Sequence, residues 1–268
     1  MTFDLDRYKQ VCTRLDHTDL DLAGAFRARP LPPELLRCVR YMHDVEHHTT
    51  CYLRNLLNTR AHHDPDVTAF LTLWNFEEHW HGEALAEVLR AHGEPAGSPR
   101  VAAMRRRLGA GITASPLLWM AFSSVSRHFL AVHMTFGVIN EWTTQAGYAR
   151  LTALAGHDVL SELLRRIMRQ EGRHIDYYLS MARQLLAQAP GARRATRRVL
   201  RTAWSPVGEK VMPRPETAHL IGTLFADEAG RAMADRIDRR IDSLPGLEGL
   251  RLMDRALGRY AGVSGAGV

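Results

Sequence analysis

The chain has 268 residues and a formal charge of +6, supplied almost entirely by arginine. That length allows one sizeable core, and no apolar run approaches the roughly eighteen residues of a membrane span. The opening Met1-Thr2-Phe3-Asp4-Leu5-Asp6 lacks the basic-then-apolar layout of a leader, and Cys12, Cys38 and Cys51 form neither a metal-type cluster nor a disulfide framework, so a reducing, cytoplasmic setting is expected.

In chain order, a short helix is expected over Leu5–Leu15, then a polar connector ending at Pro30. Pro32-Pro33 starts a long helix to Asn58, proline being favoured in a first turn. Asp64-Pro65-Asp66 supplies the next start, with Asp64 as N-cap, and the pattern runs to Ala91 before Gly93. Glu94–Ser98 reads as a loop and Arg100–Leu108 as a basic helical segment. Ser115-Pro116 opens a third long helix to Ala155-Gly156, with a bend at Gly137, and a fourth spans Asp158–Gln188. Shorter helices are expected over 192–204, 216–241 and 246–260, between Pro206, Pro213, Pro215 and Pro245; the Gly-rich tail from Gly262 is expected to be disordered. No stretch alternates as a strand does. The chain reads as all-α: one domain over 1–268, with a four-helix core over 32–188 and further helices at both ends.

The four long helices carry a repeated arrangement of metal-ligand side chains. Glu46 precedes Glu78-His79-Trp80-His81, and Glu141 precedes Glu171-Gly172-Arg173-His174, at gaps of 78 − 46 = 32 and 171 − 141 = 30 residues. Residues three apart share a helix face, so Glu78 with His81, and Glu171 with His174, can grip one cation side by side. One carboxylate from each of two helices and a Glu-x-x-His from each of the other two is the inventory of a dinuclear site in a four-helix bundle. One such motif alone is commonly a surface pair; four helices supplying the set in order is specific. Each glutamate also interrupts an apolar stripe: Leu35, Val39, Met42, Thr50, Leu53 and Leu57 around Glu46; Leu71, Trp74, Leu85 and Leu89 around Glu78. Met134, Gly137, Val138, Thr144 and Tyr148 flank Glu141, and Leu164, Ile167, Met168, Ile175 and Tyr178 flank Glu171. Four buried carboxylates would repel or protonate, and two divalent ions neutralise them. Nitrogen and carboxylate donors without thiolate suit iron or manganese. The expected cofactor is therefore two Fe ions, with Mn/Fe as a variant, and the expected chemistry is O2 activation and attack on an unactivated C–H bond. Glu46 and Glu141 are the lone carboxylates, and Glu78 and Glu171 the candidates to bridge.

The run Glu77-Glu78-His79-Trp80-His81-Gly82-Glu83-Ala84-Leu85 resembles the E-E-x-x-H-G-[DE]-x-L segment of soluble acyl-acyl-carrier-protein desaturases, and Gln170-Glu171-Gly172-Arg173-His174 is similar to their D-E-x-R-H segment. Asp242-Ser243-Leu244-Pro245-Gly246-Leu247 resembles the family's C-terminal region less specifically. The resemblance implies a ferritin-like fold, a homodimer, an acyl chain delivered on an acyl carrier protein, and electrons from a ferredoxin. It also implies that the Thr144 hydroxyl, three residues after Glu141, lies beside the metals and handles protons. Two departures stand out. Gln170 replaces the family's Asp, the group that supports the opposite motif's histidine, here His81; and Trp80 replaces an arginine.

The basic blocks Arg105-Arg106-Arg107 and Arg193-Arg194-Ala195-Thr196-Arg197-Arg198 with Arg201 attract acidic partners. Without a recognition motif or interleaved aromatics they do not indicate nucleic acid, and no membrane partner is expected. His133, two turns before Glu141, and His43, His47 and His48 around Glu46 read as ordinary packed or exposed histidines. His62, His63 and His79 read as surface residues, and Trp74, Trp119, Phe122, Phe129 and Trp142 as core. An O2-dependent acyl desaturase is the first functional expectation. A tailoring hydroxylase or amine N-oxygenase is the second, and a non-catalytic iron-storage bundle the third.

Overall fold

The computed structural model describes residues 3–261, apart from the Thr113 side chain; the tail expected to be disordered lies outside them. Among the described residues the chain is all-α, with no strand. It forms two compact units, and the long helix Asp158–Gln188 contributes residues to both.

The first unit holds Asp4–Phe129 and His157–Gln170. Its helices are α1 (Leu5–Val11), α2 (Leu22–Ala28), α3 (Pro33–Leu57), α4 (Pro65–Ala91), α5 (Ser98–Val125) and the first part of α7 (Asp158–Gln188), with a 3-10 turn over Arg60–His63. The starts follow their local chemistry. Proline occupies the first turns of α3 and α4, and the Asp64 carboxylate accepts from the amides of Asp66 at 3.0 Å and Val67 at 3.1 Å. α3 and α4 form a hairpin, burying Cys38, Val39, Leu56, Val67, Phe70, Leu85 and Leu89. The Glu46 stripe is buried only in its first half: Thr50 and Leu57 are exposed, while Cys51, Asn55 and Leu56 turn inward. α2 lies inside the connector, its start capped by Asp21, whose side chain accepts from the Gly24 amide at 2.8 Å. α5 is fastened to α3 by a buried network. Arg100 makes two 2.7 Å bonds to Asp44, and His43 donates to Asp44 at 2.9 Å while accepting from the Gly97 amide at 3.1 Å.

Two expectations about the middle of the chain change. The third long helix is interrupted at Ser126–His128, so α6 spans Phe129–Ala155 and Pro116 lies within α5. Gly109 has non-helical φ 53° and ψ −139° within α5, and the arm Ala114–Val125 is bent from the arm Ser98–Ile112; Pro116 thus sits in the first turn of the second arm, where its missing N–H costs nothing. Second, α6 runs through Gly137 as one helix. A Cβ there would lie 2.3 Å from the Tyr178 ring, so the glycine serves close packing.

The second unit holds Leu130–Gly156 and the chain from Glu171. It comprises α6, the rest of α7, α8 (Pro190–Ala203), α9 (Arg214–Phe225), α10 (Glu228–Asp242) and α11 (Leu252–Tyr260). The helix expected over 216–241 is two helices, because Asp227 starts a new one by accepting from the Gly230 amide at 2.7 Å. Any side chain at 230 would strike the Phe225 backbone at 2.5 Å. Buried Arg150 of α6 holds this corner, bonding the Leu224 carbonyl at 2.9 Å and the Asp227 carboxylate. α11 has no side-chain cap of its own; Asp238 of α10 accepts from its Met253 and Asp254 amides, both at 3.0 Å.

Gly137→Ala raises intrinsic helix propensity yet forces the Tyr178 ring to move. Urea unfolding is expected to show a net loss of roughly 1–3 kcal/mol, the usual cost of overpacking; unchanged or increased stability would show that the contact is slack.

Candidate metal centre

Six side chains from four helices are buried: Glu46 on α3, Glu78 and His81 on α4, Glu141 on α6, and Glu171 and His174 on α7. Their donor atoms assemble into two groups, Glu46–Glu78–His81–Glu171 and Glu78–Glu141–Glu171–His174, each with one atom per residue and all atoms within 4.8 Å of one another. Glu78 and Glu171 belong to both groups. Donor atoms gathered this closely from four buried side chains can converge on one cation in each group. The donor chemistry fits as well. Four carboxylates and two imidazoles balance two divalent ions, and no thiolate is present. These groups can hold metal.

His174 Nδ1 lies 3.0 Å from Glu171 Oε2, the two donors of the motif facing the same point. His81 is oriented from its far side. Its Nε2 is 2.8 Å from Gln170 Oε1, and Gln170 Nε2 donates to the Thr13 carbonyl at 3.0 Å. That carbonyl can only accept, which turns the glutamine oxygen toward the ring. His81 Nε2 therefore carries the proton, leaving the Nδ1 lone pair for metal. Gln170 thus stands where the resemblance placed a supporting group for His81, and does so without charge.

The sequence reading missed the N-terminal segment's part in this arrangement. Glu77, fully buried beside Glu78, accepts from the Tyr8 hydroxyl at 2.9 Å and from the Thr13 amide at 3.4 Å. One residue, Thr13, therefore contacts the residues preceding both motif glutamates, through its N–H and its carbonyl. Arg14, from the same N-terminal segment, lies 4.2 Å over the Trp80 ring. The available clue was the Glu77-Glu78 doublet. Adjacent carboxylates point about 100° apart on a helix, so only one can face the metals and the other needs donors elsewhere.

Thr144 is half-buried on α6, one turn after Glu141. His133, His47 and His48 stand outside both groups. Burial pushes His133 down to about 3 and His47 and His48 down to about 4, so all three are neutral near pH 7. His47 packs edge-on to His43 at 4.6 Å, and Gly82 leaves room for its ring. His62, His63 and His79 are exposed, as expected. Of the aromatics, Trp74, Phe129 and Trp142 are buried, Trp119 is half-buried and Phe122 is exposed.

Comparisons with protein-family models, curated proteins and solved structures find no match to this chain.

Two predictions follow from the geometry. Anaerobic titration of the purified chain with Fe(II) is expected to saturate near two ions, and Glu171→Ala, which removes a donor from both groups, to lower this by more than one. Retention of both ions would show that Glu171 is not a ligand. In 15N-histidine spectra of metal-free protein, His81 is expected as the Nε2–H tautomer. Gln170→Leu should release it into a tautomer mixture, and an Nδ1–H signal in the unaltered chain would contradict the relay.

Proposed function

We propose that this chain is an O2-dependent dinuclear iron oxidase that desaturates an acyl group carried as a thioester on an acyl carrier protein. The observation supporting the metal chemistry is the pair of buried donor groups sharing Glu78 and Glu171. Substrate class rests on the resemblance of the Glu77–Leu85 and Gln170–His174 runs to the carrier-dependent desaturases. Bound as a ferrous pair, the metals supply electrons to O2 and the oxidising power for an unactivated C–H bond. In the balanced reaction the acyl chain loses two hydrogens, and O2 leaves as two waters. Two further electrons come from an external donor of ferredoxin type, and two protons from solvent.

The chain's own residues divide the remaining work. Glu46, Glu78, Glu141 and Glu171 with His81 and His174 hold the ions, and Gln170 fixes the ring of His81. The Thr143 hydroxyl donates to the Ile139 carbonyl and is committed there. Thr144 is left as the hydroxyl on that turn able to pass a proton toward the site. An acidic carrier suits α8. Its inward face buries Ala192, Thr196 and Leu200, while Arg193 and Arg197 bind carbonyls of Leu186 and of Gly246 and Glu248. Arg194, Arg198 and Arg201 remain exposed at i, i+4 and i+7, one basic row.

The second reading, a hydroxylase or amine N-oxygenase, is favoured by one observation, the uncharged Gln170 behind His81. A neutral amide makes the ring a weaker donor than a carboxylate would.

The test is incubation of reduced, iron-loaded protein with acyl carrier thioesters and O2, followed by mass spectrometry. Loss of two hydrogens is expected. Gain of one oxygen, or turnover of free amines alone, would replace the proposal with the second reading. Thr144→Val should slow O2-dependent turnover about 10-fold or more, as for loss of a proton-transfer group, with bound iron unchanged.

A further inference from the structure

The second half of α5, Ala114–Val125, has its amphipathicity reversed. Its outward stripe is Ala114, Leu118, Ala121, Phe122 and Val125, spaced at i, i+4, i+7, i+8 and i+11. Leu117 and Met120 lie beside it. Leu118 is 70% exposed, Val125 85%, Leu117 64%, Met120 46% and Phe122 36%. Facing inward are Trp119, edge-on to Tyr52 at 5.4 Å and Phe129 at 6.2 Å, and Ser123, buried with its hydroxyl on the Met120 carbonyl. An apolar helix face of this size is costly in water and marks an interaction surface.

The charge around it narrows the occupant. Between Glu94 and Glu141 the chain has no aspartate, glutamate or lysine, but it has Arg100, Arg105, Arg106, Arg107 and Arg127. Arg100 is taken by Asp44, and Arg105 is partly covered and reaches the His47 carbonyl. Arg106 and Arg107 before the apolar half-helix, and Arg127 after it, are exposed. The helix is bent by 51° between Ser98–Ile112 and Ala114–Val125, and no single helix of the described residues is long and apolar enough to cross a membrane. A projecting apolar helix flanked by arginines at both ends, in a stretch free of carboxylates, has the composition of a segment that lies in a membrane interface. Two copies facing each other through this patch would oppose arginine to arginine with no carboxylate from the segment between them. An acidic protein would satisfy the arginines and leave the projecting Leu118 and Val125 without a pocket. A bilayer with anionic headgroups receives both.

We infer that Ala114–Val125, with Arg106, Arg107 and Arg127, docks this protein peripherally on an anionic phospholipid surface, the apolar stripe entering at the level of the headgroups. The inference is independent of the metal centre. It replaces the expectation, drawn from span length alone, that no membrane partner exists, because a surface helix needs no spanning length.

Sedimentation of the full chain with sucrose-loaded vesicles of phosphatidylcholine and phosphatidylglycerol at 3:1, in low salt, tests it. The protein is expected to pellet with these vesicles, to stay in the supernatant with pure phosphatidylcholine, and to be released as salt is raised. Leu118→Asp with Val125→Asp should abolish pelleting while helical circular dichroism and the unfolding midpoint stay unchanged, both sites being exposed. Arg106→Gln with Arg107→Gln should weaken partition about 25-fold, about fivefold for each arginine near the surface. Failure of the unaltered chain to pellet, or equal pelleting of the aspartate variant, overturns the inference. So does light scattering that shows a dimer, or a carrier-protein complex, lost in the aspartate variant without any vesicle binding.

Discussion

Like charge held at short range inside the protein is the constraint that the site must satisfy. At an effective dielectric of about 20, one pair of carboxylates 4 Å apart costs about 4 kcal/mol, and each donor group contains three carboxylates within 4.8 Å of one another. Net stability of a domain is only about 5–15 kcal/mol, so the groups cannot all stay ionised without counter-charge. Protonation is one escape. Cations are the other, and the imidazole nitrogen that each cluster also brings is a suitable ligand for them.

The same constraint reaches into the layer behind the ligands. Glu77 is a fifth buried carboxylate next in sequence to a ligand, and it takes the Tyr8 hydroxyl and the Thr13 amide. Had Gln170 been ionic, a sixth negative charge would lie against the carbonyl of Thr13. An amide avoids the added charge and can donate to the Thr13 carbonyl, which a carboxylate cannot. Thr13 thus gives its N–H to an anion and its carbonyl to a neutral donor. The amide at Gln170 and the N-terminal brace suit one another.

The parts of this architecture that were legible in the sequence were those with local causes. The starts at Pro33 and Pro65, the cap at Asp64, and the span Asp158–Gln188 each follow from residues within one turn of the boundary. The break at Ser126–His128 has no glycine or proline to announce it. The corner at Asp227 was signalled by Asp227-x-x-Gly230, which is plain only once the Phe225 backbone is seen against Gly230. On α3 the apolar pattern continued to Leu57 while burial moved to Cys51, Asn55 and Leu56, because what covers a helix changes along its length. For the site, the repeat of ligand spacing singled out six residues that the structure gathers into two groups. Tyr8 and Thr13 escaped notice because their contacts join residues 69 and 157 positions apart, and no local pattern records such a pairing.

Two basic helices show why charge alone underdetermines a partner. α8 follows ordinary amphipathic logic: its apolar face is buried, its spare arginines form an exposed row, and nothing beyond electrostatics asks for a ligand. Such a row suits an acidic macromolecule, bound loosely and sensitive to salt. α5 breaks that logic in its second arm, burying Ser123 and exposing Leu118 and Val125. Arginine count is similar in the two regions, yet the free-energy problem differs in kind. For α8, water is an adequate solvent in the absence of a partner. For α5, water leaves the hydrophobic term unresolved whatever the salt concentration. The identity of the residues between the arginines, more than the arginines themselves, separates a surface that water satisfies from one that leaves apolar area exposed to it.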